Sequence, residues 1–208
     1  ENNARYVEMC SAGDRSGAYY TCVNSYLTAS ELAYIINNSE STVLFTSKAR
    51  EAVARDAVRE CPNLVKIYVV DGDINGWGDD RAEDYLAAAA ACPSSPIADE
   101  ESGMAMLYSS GTTGRPKGII RPLLHTSPDE LHPLFAFLSN LWQYREDMIY
   151  LSPAPLYHSA PQAAVNLAIR KGGTVIIMER FDPIEYLSLI EEYSVTHTQL
   201  VPTMFSRM

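Results

Sequence analysis

The chain has few of the residue patterns that would announce a metal or a disulfide framework. Its four cysteines, Cys10, Cys22, Cys61 and Cys92, make no CxxC pair and have no histidine at ligand spacing, which argues against a structural zinc site and a disulfide-stapled fold. The four histidines form no HExxH pair, so a zinc-protease helix is excluded. Cations are scarce: 16 Lys and Arg stand against 26 Asp and Glu, a formal net charge of -10. A broad DNA or RNA footprint needs clustered Lys and Arg, although a small basic pocket for a nucleotide fits this balance. No apolar run approaches the ~20 residues that cross a bilayer, and no stretch has the pattern of a secretory signal. With free thiols, these absences lead to the expectation of a cytoplasmic protein without a transmembrane segment.

What is present reads as an ordinary globular chain. Of 208 residues, 47% are apolar and 20% charged, enough to bury a substantial core as one large domain or parts of two. The chain begins at Glu1 with a helical pattern already under way and stops just after Pro202 and Thr203, which resemble a helix start. The expectation is a piece of a longer polypeptide, truncated at both ends.

Short apolar runs alternate with helical patterns. Strands are expected at Ala18–Val23, "STVLFT", Val65–Val70, Met104–Tyr108, "MIYLS", "TVIIM" and "HTQLV". Helices are expected over Asn3–Arg15, Thr28–Asn37 with a Thr28/Glu31 capping box, Lys48–Glu60 capped by Ser47, and Arg81–Ala91. Further helices should start at Ser127 (Pro128 and Glu130 completing the signal), cover Gln162–Arg170, and open at Asp182–Pro183. The alternation predicts an α/β fold with largely parallel sheets flanked by helices. The acidic stretch Asp71–Asp80 reads as a solvated loop, since it lacks the ligand order and closing glutamate of an EF-hand. Phe135, Trp142 and Tyr144 read as packing residues at helical spacing.

The most informative stretch is "LYSSGTTGRPKG", Leu107–Gly118. Ser109, Ser110, Thr112 and Thr113 offer hydroxyl donors, Gly111 and Gly114 let backbone N–H groups converge on an anion, and Lys117 adds a mobile positive charge. It is not a Walker A loop: counted from Gly111, Pro116 stands where the second glycine belongs, and Gly118 follows Lys117 in place of Ser or Thr. A P-loop phosphotransferase is excluded on that ground.

Tyr108 through Gly118 resembles, at every fixed position, the signature loop of the adenylate-forming superfamily, which includes acyl-CoA synthetases, aryl-CoA ligases, luciferases and peptide-synthetase adenylation domains. The resemblance extends over most of the chain, through "RSGAYYTCVNSYLTASELAYIINNSESTVLFTS", "LSPAPLYHSAP" and "GGTVIIMERFDPIEYLSLIEEYSVTHTQLVPTM", in a style similar to bacterial fatty acyl-CoA synthetases. It implies part of the N-terminal AMP-binding domain of an enzyme of lipid metabolism. Such an enzyme joins a carboxylate to AMP from ATP, releases pyrophosphate, and then passes the acyl group to coenzyme A.

By that resemblance Ser109, Ser110, Gly111, Thr112, Thr113, Gly114 and Lys117 would hold the ATP phosphates, with Mg2+ neutralising the remaining charge. His158 and Tyr157 would border the acyl pocket, His158 near the carboxylate and not as a metal ligand. Ala160 stands where many relatives carry an aromatic residue, so the pocket's shape does not carry over. Arg115, the variable position, reads as solvated, and Tyr108 as a core aromatic. No catalytic residue is assigned and no protein metal site is expected. The family's later "YGxTE" and "TGD" segments, hinge and C-terminal lobe have no counterpart here, which predicts that the chain alone is inactive. Expected partners are a small carboxylic acid, ATP and CoA, with a homodimer as an open alternative and no nucleic acid. An adenylation domain loading an amino or aryl acid onto a carrier protein, and a non-catalytic nucleotide-binding module, are the competing readings.

Overall fold

Local capping chemistry starts the chain. The side chain of Asn3 accepts a hydrogen bond from the Tyr6 N–H at 2.8 Å and opens helix α1, Ala4–Arg15. The computed structural model describes residues 1–109 and 115–208. Strand β1 is only Tyr19–Tyr20, shorter than Ala18–Val23, because its parallel partner β5 (Met104–Ala105) is itself two residues long.

The first parallel sheet follows. Helix α2, Ala29–Asn38, carries the full capping box: Thr28 Oγ1 accepts from the Glu31 N–H while Glu31 accepts from the Thr28 N–H. Strand β2 (Val43–Ser47) leads through a 3-10 turn, Lys48–Arg50, into helix α3, Glu51–Val58. Ser47 is no side-chain cap; its hydroxyl donates instead to Glu1 at 2.8 Å. Strand β3 (Lys66–Val70) lies between β2 and β4 (Ala82–Asp84), all parallel, and helix α4 is Tyr85–Ala90. The helix expected over Arg81–Ala91 therefore begins as a strand. Ala82–Asp84 pair with Ile67–Val69, and Asp84 caps the shortened helix through the Ala87 N–H. Local propensity lost to a ladder it could not foresee. Ala33, Ile36, Ala54, Ala57, Val58, Ile67 and Val69 form the core here, each fully buried large side chain contributing about 2 kcal/mol.

The loop-bearing stretch takes a different geometry. Strand β6 (Leu107–Ser109) pairs antiparallel with β7 (Lys117–Ile119), so Met104–Tyr108 is two short strands rather than one. Helix α5 is Pro133–Leu141, with His132 Nδ1 accepting from the Leu134 N–H. The start expected at Ser127 forms only a turn. Pro133 bars His132 from the helical region, leaving it at φ -51°, ψ 136°, so no helix begun at Pro128 can run through it.

The second parallel sheet has order β10-β8-β9: β8 is Ile149–Ser152, β9 Thr174–Ile177 and β10 His197–Thr198. Helix α6, Ser159–Arg170, starts three residues earlier than its Gln162 expectation. Helix α7, Pro183–Tyr193, is capped by Asp182, which accepts from the Ile184 and Glu185 N–H groups at 2.9 Å. Helix α8 is Pro202–Phe205. Strand β8 is buried on both faces: Tyr150 joins Ala164, Val165, Tyr6 and Val7 under α6 and α1, while Leu151 joins Tyr186 and Leu189 under α7. Helices on both sides of a parallel sheet give the α/β architecture the sequence pattern predicted. Among the described residues no helix is long and apolar enough to cross a membrane.

Candidate functional site

Two arms carry the candidate residues. The first is the β6–β7 hairpin. Its register sets Ser109 directly opposite Lys117, and Tyr108 opposite Gly118. Ser109 and Lys117 are exposed at the mouth of the 110–116 segment. Ser110, Gly111, Thr112, Thr113 and Gly114 lie outside the described residues. The side chain of α2 holds this arm: the Tyr34 hydroxyl donates to the Pro116 carbonyl at 3.1 Å, and the Arg115 guanidinium sits 5.1 Å from the Tyr34 ring centre. Tyr108, half-buried, donates its hydroxyl to Asn38 Oδ1 at 2.7 Å. Gly118 packs closely against its neighbours. A β-carbon there would run into Met106 Cε and come within 3.1 Å of the Tyr108 ring, which lies across the hairpin.

The second arm is the β8–α6 junction. Pro153 and Ala154 are buried after β8, and Tyr157 is half-buried. His158 is the exposed N-cap residue of α6, but makes no side-chain cap bond. Its ring packs on Tyr157 with centroids 4.3 Å apart. Asn2 staples this junction in place. Its Nδ2 donates to the Ala154 carbonyl at 3.0 Å and the Met178 carbonyl at 3.1 Å, while its Oδ1 accepts from the Leu156 N–H at 2.9 Å. One amide thus fills both of its hydrogen-bonding ends on the two strand-end loops.

A cleft of about 230 Å3 opens beside this junction, walled by Asn2, Tyr26, Arg50, Tyr157, Arg180 and Arg207 among others. Tyr157 lines it; His158, Ser109 and Lys117 do not. Arg50 lies over the Tyr26 ring and Arg207 over the Phe181 ring, each 5.4 Å from the ring centre. Glu1 Oε2 is 3.9 Å from Arg50 Nε, beyond hydrogen-bond reach, and that buried nitrogen has no hydrogen-bond partner among the described residues. Asn2 and the three arginines escaped sequence reasoning. They come from four separate parts of the chain, with no spacing to link them.

A polar relay ties α6 to the start of the chain. Gln162 Nε2 donates to Tyr20 Oη at 2.7 Å, Tyr20 Oη donates to Asp14 Oδ1 at 2.8 Å, and Asn166 donates to Asp14 Oδ2. Burial raises the Asp14 carboxyl above its ordinary range, against the pull of the Tyr20 and Asn166 hydrogen bonds. Gly103 permits the close contact of β5 with this region: a β-carbon would collide with the carbonyl oxygens of Gly13 and Ala18. Among the described residues no three His, Cys, Asp or Glu side chains gather as a metal site.

A parallel α/β scaffold carrying a Ser/Thr/Gly hairpin loop defines a class, and the comparison with protein families agrees. The profile described as "AMP-binding enzyme" matches residues 1–208, and the chain belongs to that family. It is 31% identical over 215 residues to 4-coumarate–CoA ligase 5 of Oryza sativa, matching 100% of this chain and 37% of that protein. It is 29% identical over 210 residues to the long-chain-fatty-acid–CoA ligase FadD13 of Mycobacterium tuberculosis, matching 97% of this chain and 39% of that one. The crystal structure of ATP-bound MatB from Rhodopseudomonas palustris superposes with a TM-score of 0.74 at 27% identity, over 100% of this chain and 39% of that chain. The chain therefore spans well under half the length of these relatives.

Proposed function

We propose that the chain is part of the large N-terminal domain of an ATP-dependent carboxylate–CoA ligase, and that it supplies the phosphate-binding arm and one wall of the acid-binding region. The observation that carries this reading is the hairpin register. It pairs Ser109 with Lys117 across the two strands that flank a sequence rich in hydroxyls and glycines. An ammonium there stabilises charge that accumulates on the β- and γ-phosphates as pyrophosphate leaves, and the loop's N–H and O–H groups hold the triphosphate in line with an incoming carboxylate. Residues 110–114 complete this set in the proposal.

Magnesium enters as the counter-ion of the triphosphate oxygens, in keeping with its preference for phosphate and water over a dedicated protein cage. Tyr157 and His158 form the acid-side wall, with His158 directed to the carboxylate. The arginines of the neighbouring cleft provide positive charge for an anionic part of a substrate. Coenzyme A is the acceptor in this reading, since the relatives above are CoA ligases by name. Those names include an aryl and a fatty acid, and the exposed apolar residues of α5, Leu134, Phe137 and Leu141, are compatible with a fatty acyl chain.

The chain alone is proposed to be inactive, because it spans less than two-fifths of the curated relatives' length. The test is carboxylate-dependent release of AMP and pyrophosphate, with CoA present, by a protein carrying this chain at its relatives' full length. Thioester formed with particular acids supports the ligase. Folded protein that binds ATP and releases neither product with any acid overturns it.

A further inference from the structure

Two thiols that the proposed chemistry leaves unused stand together under α6. Cys10, on α1, and Cys22, two residues beyond β1, place their Sγ atoms 3.7 Å apart. Both are free. Cys22 is 7% exposed and Cys10 half-buried. A disulfide needs the sulfurs at about 2.05 Å. The closing movement falls on the segment after Tyr20, which belongs to no strand. A narrow pocket of about 10 Å3, open to the surface, adjoins Cys10 and is lined by Tyr6, Gln162 and Asn166 among others. That is room for roughly one water-sized molecule.

We propose that Cys10 and Cys22 form a dithiol site that a small hydroperoxide oxidises to an intramolecular disulfide. Cys10, the sulfur that lines the pocket, attacks one peroxide oxygen as its thiolate. The O–O bond breaks, Cys10 becomes a sulfenic acid, and the departing oxygen takes a proton as water. The Cys22 thiolate then attacks the sulfenic sulfur; the S–S bond forms, the S–O bond breaks, and hydroxide leaves and is protonated to a second water. Two electrons and two thiol protons pass to the peroxide in all.

The hydrogen bond between the thiols divides the roles. It pulls the Cys22 thiol below its usual range, and that same bond, followed by burial, pushes Cys10 up. The first step is therefore slow near neutrality. The disulfide would pin α1 to the segment leading from Tyr20, the residue that receives the Gln162 amide, and so fix the surface beneath the first turns of α6.

The experiment treats a folded protein carrying this chain at its relatives' full length with hydrogen peroxide, or in a parallel arm with glutathione disulfide, quenches it, unfolds it in an alkylating reagent and maps peptides without reduction. The expected result is a Cys10–Cys22 linked peptide lacking two hydrogens, restored by a reductant and formed faster in alkaline than in neutral buffer. Glutathione disulfide, too large for the pocket, should modify exposed Cys92 and leave the pair as thiols. In Cys22→Ser, Cys10 should stop at a sulfenic acid that a cyclic dione traps. Full alkylation of Cys10 and Cys22 after peroxide has consumed Cys92 overturns the proposal, as does pairing of either with Cys61 or Cys92. Equal rates with the two oxidants overturn the assignment of a small hydroperoxide. The decisive map uses the unmutated protein, so a variant that fails to fold does not affect it.

Discussion

The two parallel sheets are built alike and completed differently. The β2–β3–β4 sheet draws its core from residues between Ala29 and Ala82, a single continuous stretch. The β10–β8–β9 sheet needs the far end of the chain: Tyr6 and Val7 of α1 pack on Met148 and Tyr150, and Asn2 fastens the loops that follow β8 and β9. Each sheet's unit also holds one arm of the candidate site. Helix α2 of the first tethers the hairpin through Tyr34 and Asn38, while β8 and α6 of the second present Tyr157 and His158. In the proposed reading the phosphate arm rests on the locally assembled unit, and the acid arm on the unit closed by distant contacts.

That division can be tested by substitution. The largest effect is expected at Lys117→Ala in the full-length ligase: a fall of about 10²–10³ in the rate of pyrophosphate formation with little change in the KM for the acid, measured by steady-state kinetics. Leu151→Ala, on the doubly covered strand β8 at 0% exposure, should cost about 3 kcal/mol of stability, read as a lowered urea midpoint. Half-buried Leu44→Ala on β2 should cost less than half of that. Equal losses would mean that the two positions are packed alike.

His158→Ala should raise the KM for the acid by about tenfold, the equivalent of about 1.4 kcal/mol, and leave ATP binding measured by calorimetry unchanged. An effect on ATP instead would join the two arms into one. Removing caps gives the next smaller effect. Thr28→Ala and Asp182→Ala should each cost about 1 kcal/mol by thermal unfolding, one in each unit.

The pH dependence separates the units by sign. In the first, the Arg81 hydrogen bond lowers Asp79 from its ordinary 3.8. The folded state therefore binds that proton less readily than the unfolded state; the contribution is full above 3.8 and is lost as pH falls through the depressed folded value. In the second, burial raises Asp14 from 3.8. Its contribution is full below 3.8 and is lost as pH rises through the raised folded value. Asp79→Asn should flatten the acid side of a stability-against-pH curve, and Asp14→Asn should remove a decline on the side above it.

Much of this organisation was legible where it rested on local chemistry. Thr28 with Glu31 and Asp182 with Pro183 marked true helix starts, because a cap acts within four residues of itself. Ser127–Pro128 carried a similar signal and failed, since Pro133 supplied a competing start that its own ring enforced. Ala82–Asp84 became a strand through pairing with β3, which no window around Arg81 contains. The proposed phosphate loop was readable as a run of contiguous residues, whereas the returning strand Lys117–Ile119 was not expected, since it exists only through pairing with β6. Asn2, Arg50, Arg180 and Arg207 meet only in three dimensions.

The Asn2 staple also sets an order of events. Its bonds close contacts 152, 154 and 176 residues apart along the chain. Synthesis delivers α1 well before these partners, and non-local contacts are reached slowly. Tyr6 and Val7 must therefore wait, with their apolar surface uncovered, while the β2–β3–β4 unit folds ahead of them. The wall that carries Tyr157 and His158 is completed after the β2–β3–β4 unit.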